Sequence, residues 1–416
     1  MTGWSFSLNP QEEWRQLFIE AWRLERDYFY DPSMHGVDWE ALLKKYLPLV
    51  DRVTDRAELS DLISQLVGEL SALHIFVRRG DHRKGEGTIS VGQLGALLNL
   101  RKDLGGARIE HIYRTDPDHP NERSPLAKPH LAISQGDIIE AINGVSLLSV
   151  PDWESLLRNQ AGKPVRLRLW SRRTKRTEEK MVTPISAKAA SELRYDEWEY
   201  TRRIRVEATS GADIGYVHLR AMGGGDYSSW AQNYYPVFNR KGLIIDVRNN
   251  RGGNIDSWIL EKLMRKAWFY WQGRVGNPTW NMQYAFRGHM VVPCNEFTAS
   301  DGEAFAEGFR RLGLGKVIGT RTWGGEIWLS FNNWLVDKGI ASAAEYGVYG
   351  PEGEWLIEGH GVEPDIVVDN LPHETFLGKD RQLEAAISHL KELIKKDPRA
   401  VPPAPKYPDK SFKAHQ

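Results

Sequence analysis

The stretch RGHMVVPCNEFTASDGEAFAEGF, residues 287–309, decides the fold expected for this chain. It opens with an apolar, β-branched run that predicts a strand, and further on Phe305, Phe309 and Leu312 recur at helical spacing. Between the two, the turn CNEFTASDGE brings Ser300 to the first turn of the helix. The stretch therefore predicts a strand-turn-helix corner of an α/β protein with a serine at the corner.

Ser300 has two possible roles at such a corner. A helix N-terminus carries unpaired backbone N–H groups and the positive end of the helix dipole, so an oxyanion formed beside Ser300 would meet donors already in place. Ser300 and Glu303 also have the spacing of a capping box, in which the serine accepts from a helix amide and the glutamate reaches back. Taken alone, the stretch predicts either a nucleophile of acyl transfer or a helix cap.

A second stretch, GLIIDVRNNRGG at 242–253, predicts a buried strand that ends in a polar turn and a glycine pair. Gly252 and Gly253 oppose strand formation, but they suit a loop that bends sharply or lets a ligand approach its N–H groups. An ordinary strand-to-helix turn is the alternative, because Ile255 and Ile259 follow at helical spacing.

Six motifs together resemble the serine peptidases of the tricorn and C-terminal-processing group, family S41. The four in the second half are DVRNNRGG at 246–253, NEFTASDGEAF at 295–305, LGLGKVIGTRTWGG at 312–325 and GHGVEPDIVV at 359–368. HGVDWE at 35–40 and GDIIEAINGV at 136–145 extend the resemblance over nearly the whole chain. It is closest to the C-terminal half of the tricorn type, and the β-propellers that precede that half have no counterpart here.

The resemblance implies a role for each site residue. Ser300 corresponds to the nucleophile and His74 to its general base, whereas from the residues alone a lone histidine in an apolar segment is more typical of a satisfied core side chain. The family pattern implies an oxyanion hole formed by the backbone N–H groups of Gly253 and Asp301. It also implies an acid, Glu358, linked to the histidine through a serine; without the resemblance, Glu358 is an ordinary loop carboxylate.

Two positions depart from the family pattern. Leu73 stands where tricorn-type enzymes have that linking serine, and leucine neither donates nor accepts a hydrogen bond. Glu358 then reaches His74 directly, acts through a water, or is unused. Trp271 stands where these enzymes carry an aspartate that favours basic substrates, so we expect an apolar preference, with Trp271 and Gly252 contacting substrate.

Composition excludes several other classes of protein. The 416 residues contain 55 Lys plus Arg and 55 Asp plus Glu, so the net charge is zero and neither nucleic acid nor a membrane is expected as a partner. A single cysteine, Cys294, excludes an internal disulfide and suits a reducing compartment; it is expected to be buried filler. The N-terminus has no signal-peptide pattern, so a cytoplasmic location is expected, and no metal or other cofactor is predicted.

The predicted fold class is multidomain, of mixed α+β and α/β type. Residues 1–85 are expected to form a small helical domain that carries His74, and residues 86–185 a PDZ-like β domain, acting in peptide binding or as a spacer. Residues 186–397 are expected to form the α/β peptidase core of the ClpP/crotonase type, with 398–416 a disordered tail. The mixed-charge run SRRTKRTEEK at 171–180 is expected to be a solvated turn or linker.

The leading functional hypothesis is a serine endopeptidase or oligopeptidase that cleaves peptides through an acyl-enzyme on Ser300. The main alternative is a catalytically impaired peptide-binding protein of the same fold, with Leu73 in place of the relay serine. A metallopeptidase is a third and weak alternative, because the chain contains no HExxH motif. The resemblance also implies a homo-oligomer.

Overall fold

The computed structural model describes residues 7–82, 87–330 and 333–412. It divides the chain into two compact units, Met1–Arg83 with Val206–Gln416, and Lys84–Arg205. Both the N-terminal helices and the C-terminal α/β segment therefore belong to the first unit, and the second unit is inserted between them in the sequence.

Three helices open the first unit: α1 (Pro10–Tyr28), α2 (Trp39–Val50) and α3 (Arg56–Gly68). The sequence predicts a helix start at Asn9 and Pro10, and this is confirmed, since the Asn9 side chain accepts a hydrogen bond from the Gln11 N–H and Pro10 is the first helical residue. The sequence LHIFV at 73–77 predicts an extended segment, which is wrong in its first part, because Leu73 and His74 form a turn and only β1 (Val77–Arg78) pairs as a strand.

The second unit is built on an antiparallel sheet. Its strands are β2 (Ala96–Arg101), β3 (Gly106–Ile112), β4 (Ile138–Ile142), β5 (Val145–Ser146), β6 (Val165–Ser171) and β7 (Arg176–Val182). The order is β2-β3-β4-β6-β7, with β5 paired to β4. The dipeptide Asn143–Gly144 predicts a turn, and this is confirmed by φ values of 51° at Asn143 and 84° at Gly144. The sequence also predicts a helix over residues 153–160, of which the structure forms a short 3₁₀ helix, Trp153–Leu157.

The linker predicted over residues 171–180 is wrong in its second half, because Arg176–Val182 pairs along its whole length with β6. Its charged side chains lie at the edge of the sheet, where they form ion pairs such as Arg166–Glu179 (3.6 Å) and Lys180–Glu178 (2.6 Å). Charge is common on an edge strand, since it hinders pairing with another chain.

After α4 (Ala187–Ser210), strands and helices alternate in the first unit. They are β8 (Ile214–His218), α5 (Gly224–Tyr234), β9 (Gly242–Asp246), α6 (Asp256–Leu263), β10 (Tyr270–Trp271), β11 (Thr279–Trp280), β12 (His289–Cys294), α7 (Asp301–Arg311), β13 (Gly315–Gly319), β14 (Ile340–Ala341), β15 (Ile366–Val367), α8 (Pro372–Phe376) and α9 (Arg381–Lys396). Five of these strands form a parallel sheet in the order β15-β13-β12-β9-β8, which confirms the predicted α/β core.

The parallel sheet is covered on both faces. Side chains of α5, α6 and α7 form one hydrophobic core with the sheet, and side chains of α9 form a second. Cys294 lies in the first of these cores, as expected; it is fully buried, and burial raises the pKa of its thiol to about 12. Because neighbouring parallel strands end at the same edge, the loops after β9, β12 and β13 lie together.

None of the helices within residues 7–82, 87–330 and 333–412 is both long and apolar enough to cross a membrane.

Candidate active site

Ser300 occupies an unusual backbone conformation between β12 and α7. Its φ is 55° and its ψ is −131°, a combination that non-glycine residues rarely adopt and that costs about 1–3 kcal/mol. The turn before it is fixed by the Thr298 hydroxyl, which donates to the Val247 carbonyl (2.8 Å), and by the Ala299 N–H, which donates to the Asn250 carbonyl (2.9 Å). The loop after β9 therefore holds the serine in this strained conformation.

Gly252 lies directly against Ser300. A Cβ atom at position 252 would lie 2.4 Å from the Ser300 Cβ and 2.9 Å from its Oγ, and the φ of Gly252 is 74°. Gly253 is equally constrained, since a Cβ atom there would lie 2.0 Å from the Met222 carbonyl oxygen. The glycine pair is thus required by close approach of the backbone, and the structure places Gly252 against Ser300.

Two backbone N–H groups beside Ser300 have no acceptor. Within the part of the chain that the structure describes, neither the Gly253 N–H nor the Asp301 N–H donates a hydrogen bond to backbone or side chain. Such free, fixed donors are what an oxyanion hole requires.

The hydroxyl of Ser300 is also uncommitted. The Glu303 carboxylate accepts a hydrogen bond from the Ser300 N–H (3.0 Å), but the Ser300 side chain makes no capping hydrogen bond to α7. The predicted capping-box pairing of Ser300 and Glu303 is present, although the Glu303 N–H donates to the Ser300 carbonyl oxygen (2.6 Å) and not to its hydroxyl. The serine hydroxyl remains available for chemistry.

Glu303 connects Ser300 to the loop after β13. This buried carboxylate also accepts hydrogen bonds from the Thr322 hydroxyl (2.5 Å) and from the N–H groups of Gly324 (2.6 Å) and Gly325 (3.0 Å). Burial raises the pKa of Glu303, and these hydrogen bonds oppose that shift. The spacing to Ser300 predicted the contact with the serine; the contacts with residues 322–325 lay beyond local sequence reasoning.

His74 lies in a buried, aromatic environment. Its ring meets the ring of Trp323 edge-on at 5.5 Å between centroids, and it packs in the same way against Phe76 at 5.6 Å. Burial lowers the pKa of His74, and the negative charge of Glu358 opposes the shift. The ring atom Nδ1 is buried and has no hydrogen-bond partner among the residues that the structure describes.

Glu358 contacts the backbone beside His74. Its carboxylate accepts from the Leu73 N–H (3.0 Å) through one oxygen and from the N–H groups of Glu326 (2.7 Å) and Ile327 (3.2 Å) through the other. Among the described residues no hydrogen bond joins Glu358 to the His74 ring, and none joins that ring to Ser300. The acid thus fixes the turn that carries the histidine, and its partner at position 73 is the leucine amide.

Residues 322–327 link these two parts of the site. Glu303 binds this segment beside Ser300, Glu358 binds it beside His74, and Trp323 packs on the histidine ring. Sequence analysis missed Glu303 as a connecting residue and Trp323 as a contact of the base. The motif RTWGG was recognised, but its role depends on contacts between segments that are far apart in the sequence.

Trp271 is a partly exposed residue of the first unit. It belongs to the two-stranded hairpin of β10 and β11, is 45% exposed and packs against Phe269 at 4.8 Å between ring centroids. In the described part of the chain, no hydrogen bond or ring contact joins Trp271 to the residues around Ser300.

Three family models match the chain. The tricorn protease C1 domain matches residues 10–68, the tricorn protease PDZ domain residues 92–187, and peptidase family S41 residues 213–368. Tricorn protease homolog 1 of Streptomyces coelicolor is 36% identical over 402 residues, which are 96% of this chain and 37% of the relative. The crystal structure of the tricorn protease has a TM-score of 0.84 to this chain at 29% identity. The chain is therefore similar over most of its length to tricorn proteases, and its residues 213–368 match peptidase family S41.

The chain corresponds to part of longer proteins. The putative tricorn-like protease C-terminal subunit of Sulfurisphaera tokodaii is 36% identical over 398 residues, 94% of this chain and 44% of the relative. The tricorn protease structure covers 93% of this chain, which spans 37% of that structure. The chain thus spans less than half the length of these relatives. The match over residues 92–187 confirms the predicted PDZ domain, and the family is one of serine-type peptidases.

Proposed function

We propose that this chain is a serine peptidase that hydrolyses peptides through an acyl-enzyme on Ser300. The observation that supports it best is the uncommitted Ser300 hydroxyl, held in a strained conformation beside two free N–H groups. Strained backbone and unused donors persist in a native structure where a reaction needs them.

In this mechanism His74 takes the proton from the Ser300 hydroxyl as its Oγ attacks the scissile carbonyl carbon. The N–H groups of Gly253 and Asp301 hold the oxyanion, and His74 then protonates the leaving amine. A water, deprotonated by His74, releases the acid product and restores the serine. The contact between base and nucleophile tightens when substrate binds, as is common for catalytic hydrogen bonds that are long in the free enzyme.

Glu358 assists by holding the backbone of Leu73, and its negative charge favours the imidazolium that forms during attack. Peptides are the proposed substrates, and Gly252 and Trp271 are the proposed contacts with them. A cytoplasmic homo-oligomer that acts as an endopeptidase or oligopeptidase is the finer form of the same proposal, taken from the resemblance.

A catalytically impaired peptide-binding protein is the second candidate. The Nδ1 atom of His74, which has no hydrogen-bond partner among the described residues, favours it, because an acid that binds this type of ring nitrogen holds the base in the catalytic tautomer.

Labelling with a fluorophosphonate, followed by mass mapping, separates the two candidates. The proposal requires stoichiometric labelling of Ser300 in the wild type, unaffected by chelators, and no labelling or peptide hydrolysis in Ser300→Ala. The alanine variant should stay folded, since its helix loses no capping hydrogen bond from the hydroxyl. Peptide turnover retained by Ser300→Ala removes this serine from the mechanism.

The assignment of the base is tested in the same assay. His74→Ala should lower the labelling rate by about 10²–10⁴-fold, whereas His82→Ala, which alters an exposed histidine, should leave it unchanged. Because burial lowers the pKa of His74, the base stays neutral in mild acid, and the wild-type rate should hold until the pH falls below the ordinary histidine pKa of about 6.5. A rate that already falls above that pH contradicts the assignment.

A further inference from the structure

The side chain of Asp301 joins the two parts of the proposed oxyanion hole. Asp301 is the first residue of α7 and is fully buried. Its Oδ2 accepts hydrogen bonds from the N–H groups of Ile255 (2.7 Å) and Asp256 (3.1 Å), at the start of α6. Asp301 thus offers a free backbone N–H next to Ser300. Its side chain also holds the loop that carries the second free N–H, that of Gly253.

The second free N–H, of Gly253, is only two residues before Ile255. Gly253 is held on both flanks by Met222, whose N–H donates to the Gly252 carbonyl (2.8 Å) and whose carbonyl oxygen accepts from the Asn254 N–H (2.8 Å). The Gly253 N–H therefore sits between one anchor on Met222 and one on Asp301. If the anchor on Asp301 were lost, the loop would keep its hydrogen bonds to Met222 but lose those that tie it to the residue carrying the other N–H group.

The Asp301 carboxyl is poorly suited to be only a helix cap. Its second oxygen, Oδ1, is buried and accepts no hydrogen bond from the described residues, and burial, together with the charge and the carboxyl group of the neighbouring Asp256, raises the pKa of Asp301 to about 7. Leaving a carboxylate oxygen buried and unpaired costs free energy, whereas an exposed cap such as Asp55, which accepts from the N–H groups of Ala57 (2.8 Å) and Glu58 (2.9 Å), avoids that cost.

We propose that Asp301 is a positioning residue, whose side chain sets the spacing between the N–H groups of Gly253 and Asp301 and so adjusts the oxyanion hole. The inference rests on the proposed function, because it gives those two N–H groups a purpose. It adds a side-chain role to a residue whose backbone alone was expected to contribute.

The test compares three variants of the full chain. Asp301→Ala removes the anchor, Asp301→Asn keeps an oxygen that accepts from both N–H groups, and Asp55→Ala removes a two-N–H cap at the start of α3, outside the proposed site. The readouts are the rate of fluorophosphonate labelling at Ser300, kcat and KM for a peptide, and the urea unfolding midpoint.

Removal of one oxyanion donor lowers kcat by about 10²–10³-fold, so a misplaced donor should cost somewhat less. We expect Asp301→Ala to lower kcat and the labelling rate by about 10- to 100-fold with KM nearly unchanged, and Asp301→Asn to recover most of the loss. Asp55→Ala should lower the unfolding midpoint but leave both rates unchanged.

Wild-type kcat in Asp301→Ala overturns the inference, as does a loss that appears only in KM. If the alanine variant does not fold, Asp301→Glu, which moves the carboxylate by one methylene, must lower kcat in a folded protein, and an unchanged kcat overturns the inference. If the wild type labels normally and the Asp301 variants keep the wild-type kcat and labelling rate, this inference is refuted and the proposed function is not. A wild type that does not label at all refutes the proposed function as well.

Discussion

At the scale of single residues, Leu73 distinguishes this chain from the family pattern. Its backbone N–H donates to Glu358, yet its side chain is 40% exposed and offers the neighbouring histidine nothing to bind. The buried Nδ1 of His74 meanwhile has no partner among the described residues. A serine hydroxyl at position 73 would therefore lie next to Glu358 and to the histidine that it would orient.

A hydroxyl at position 73 should therefore improve the base. We expect Leu73→Ser to raise the rate of fluorophosphonate labelling by about tenfold. Removing the acid that fixes the histidine tautomer in a serine protease lowers kcat by roughly 10⁴-fold, so the expected gain is only part of that effect. The gain should vanish in the double variant with Glu358→Ala, because the new hydroxyl would have no acid to join. A double-mutant cycle measures this dependence. An equal gain with and without Glu358 shows that the leucine has a packing role only.

At the scale of the secondary-structure elements, α7 joins the two connections that hold the site. Glu303, one turn into the helix, binds Ser300 on one side and the loop after β13 on the other. An isosteric glutamine would turn its NH₂ group towards N–H donors, so at least one of these hydrogen bonds would be replaced by a repulsive contact.

We expect Glu303→Gln to lower the labelling rate by about tenfold or more and the free energy of unfolding by about 1–3 kcal/mol. Glu307→Gln is the matched control, since Glu307 is on the same helix and pairs only with Arg310 and Arg311. It should leave the labelling rate unchanged. The role given to Glu303 is wrong if both variants label at the wild-type rate.

Local sequence predicted the elements well, and it did so for physical reasons. The strand-turn-helix corner, the glycine pair and the start of α1 are each fixed by residues within a few positions of one another. Two segments were wrong. Arg176–Val182 is a strand because it pairs with β6, and the turn at Leu73 is held by Glu358, so both depend on partners that periodicity does not show.

At the scale of the whole chain, the first unit brings together segments from both ends of the sequence. The core of α1, α2 and α3 also contains Ile327, Leu335, Ala341 and Ala344, and β1 pairs with β14. A buried ion pair lies beside this junction, with Arg56 Nε and Asp337 Oδ2 separated by 2.6 Å and side chains 4% and 1% exposed. The segment that carries His74 is therefore held by residues beyond position 326.

Removing the Asp337 carboxylate should lower the stability of the fold, because Arg56 would remain buried without its ion-pair partner. We expect Asp337→Ala to lower the free energy of unfolding by about 3–5 kcal/mol and to slow labelling of Ser300. Asp51→Ala, which breaks the exposed pair with Arg15 (3.2 Å), should cost at most about 1 kcal/mol and leave labelling unchanged. Urea unfolding monitored by tryptophan fluorescence measures both, and equal costs would contradict the structural role of the buried pair.

The hydrogen bond from Leu73 to Glu358 spans 285 positions of the sequence, and the one from Ser342 to the His74 carbonyl spans 268. During synthesis the histidine leaves the ribosome long before the serine, and the acid follows only after both. On the proposed function, the catalytic residues are therefore not yet assembled in a growing chain, and such a chain does not hydrolyse itself or neighbouring nascent chains. Contacts this distant in the sequence are slow to form, so on the proposed function it is folding that assembles the site.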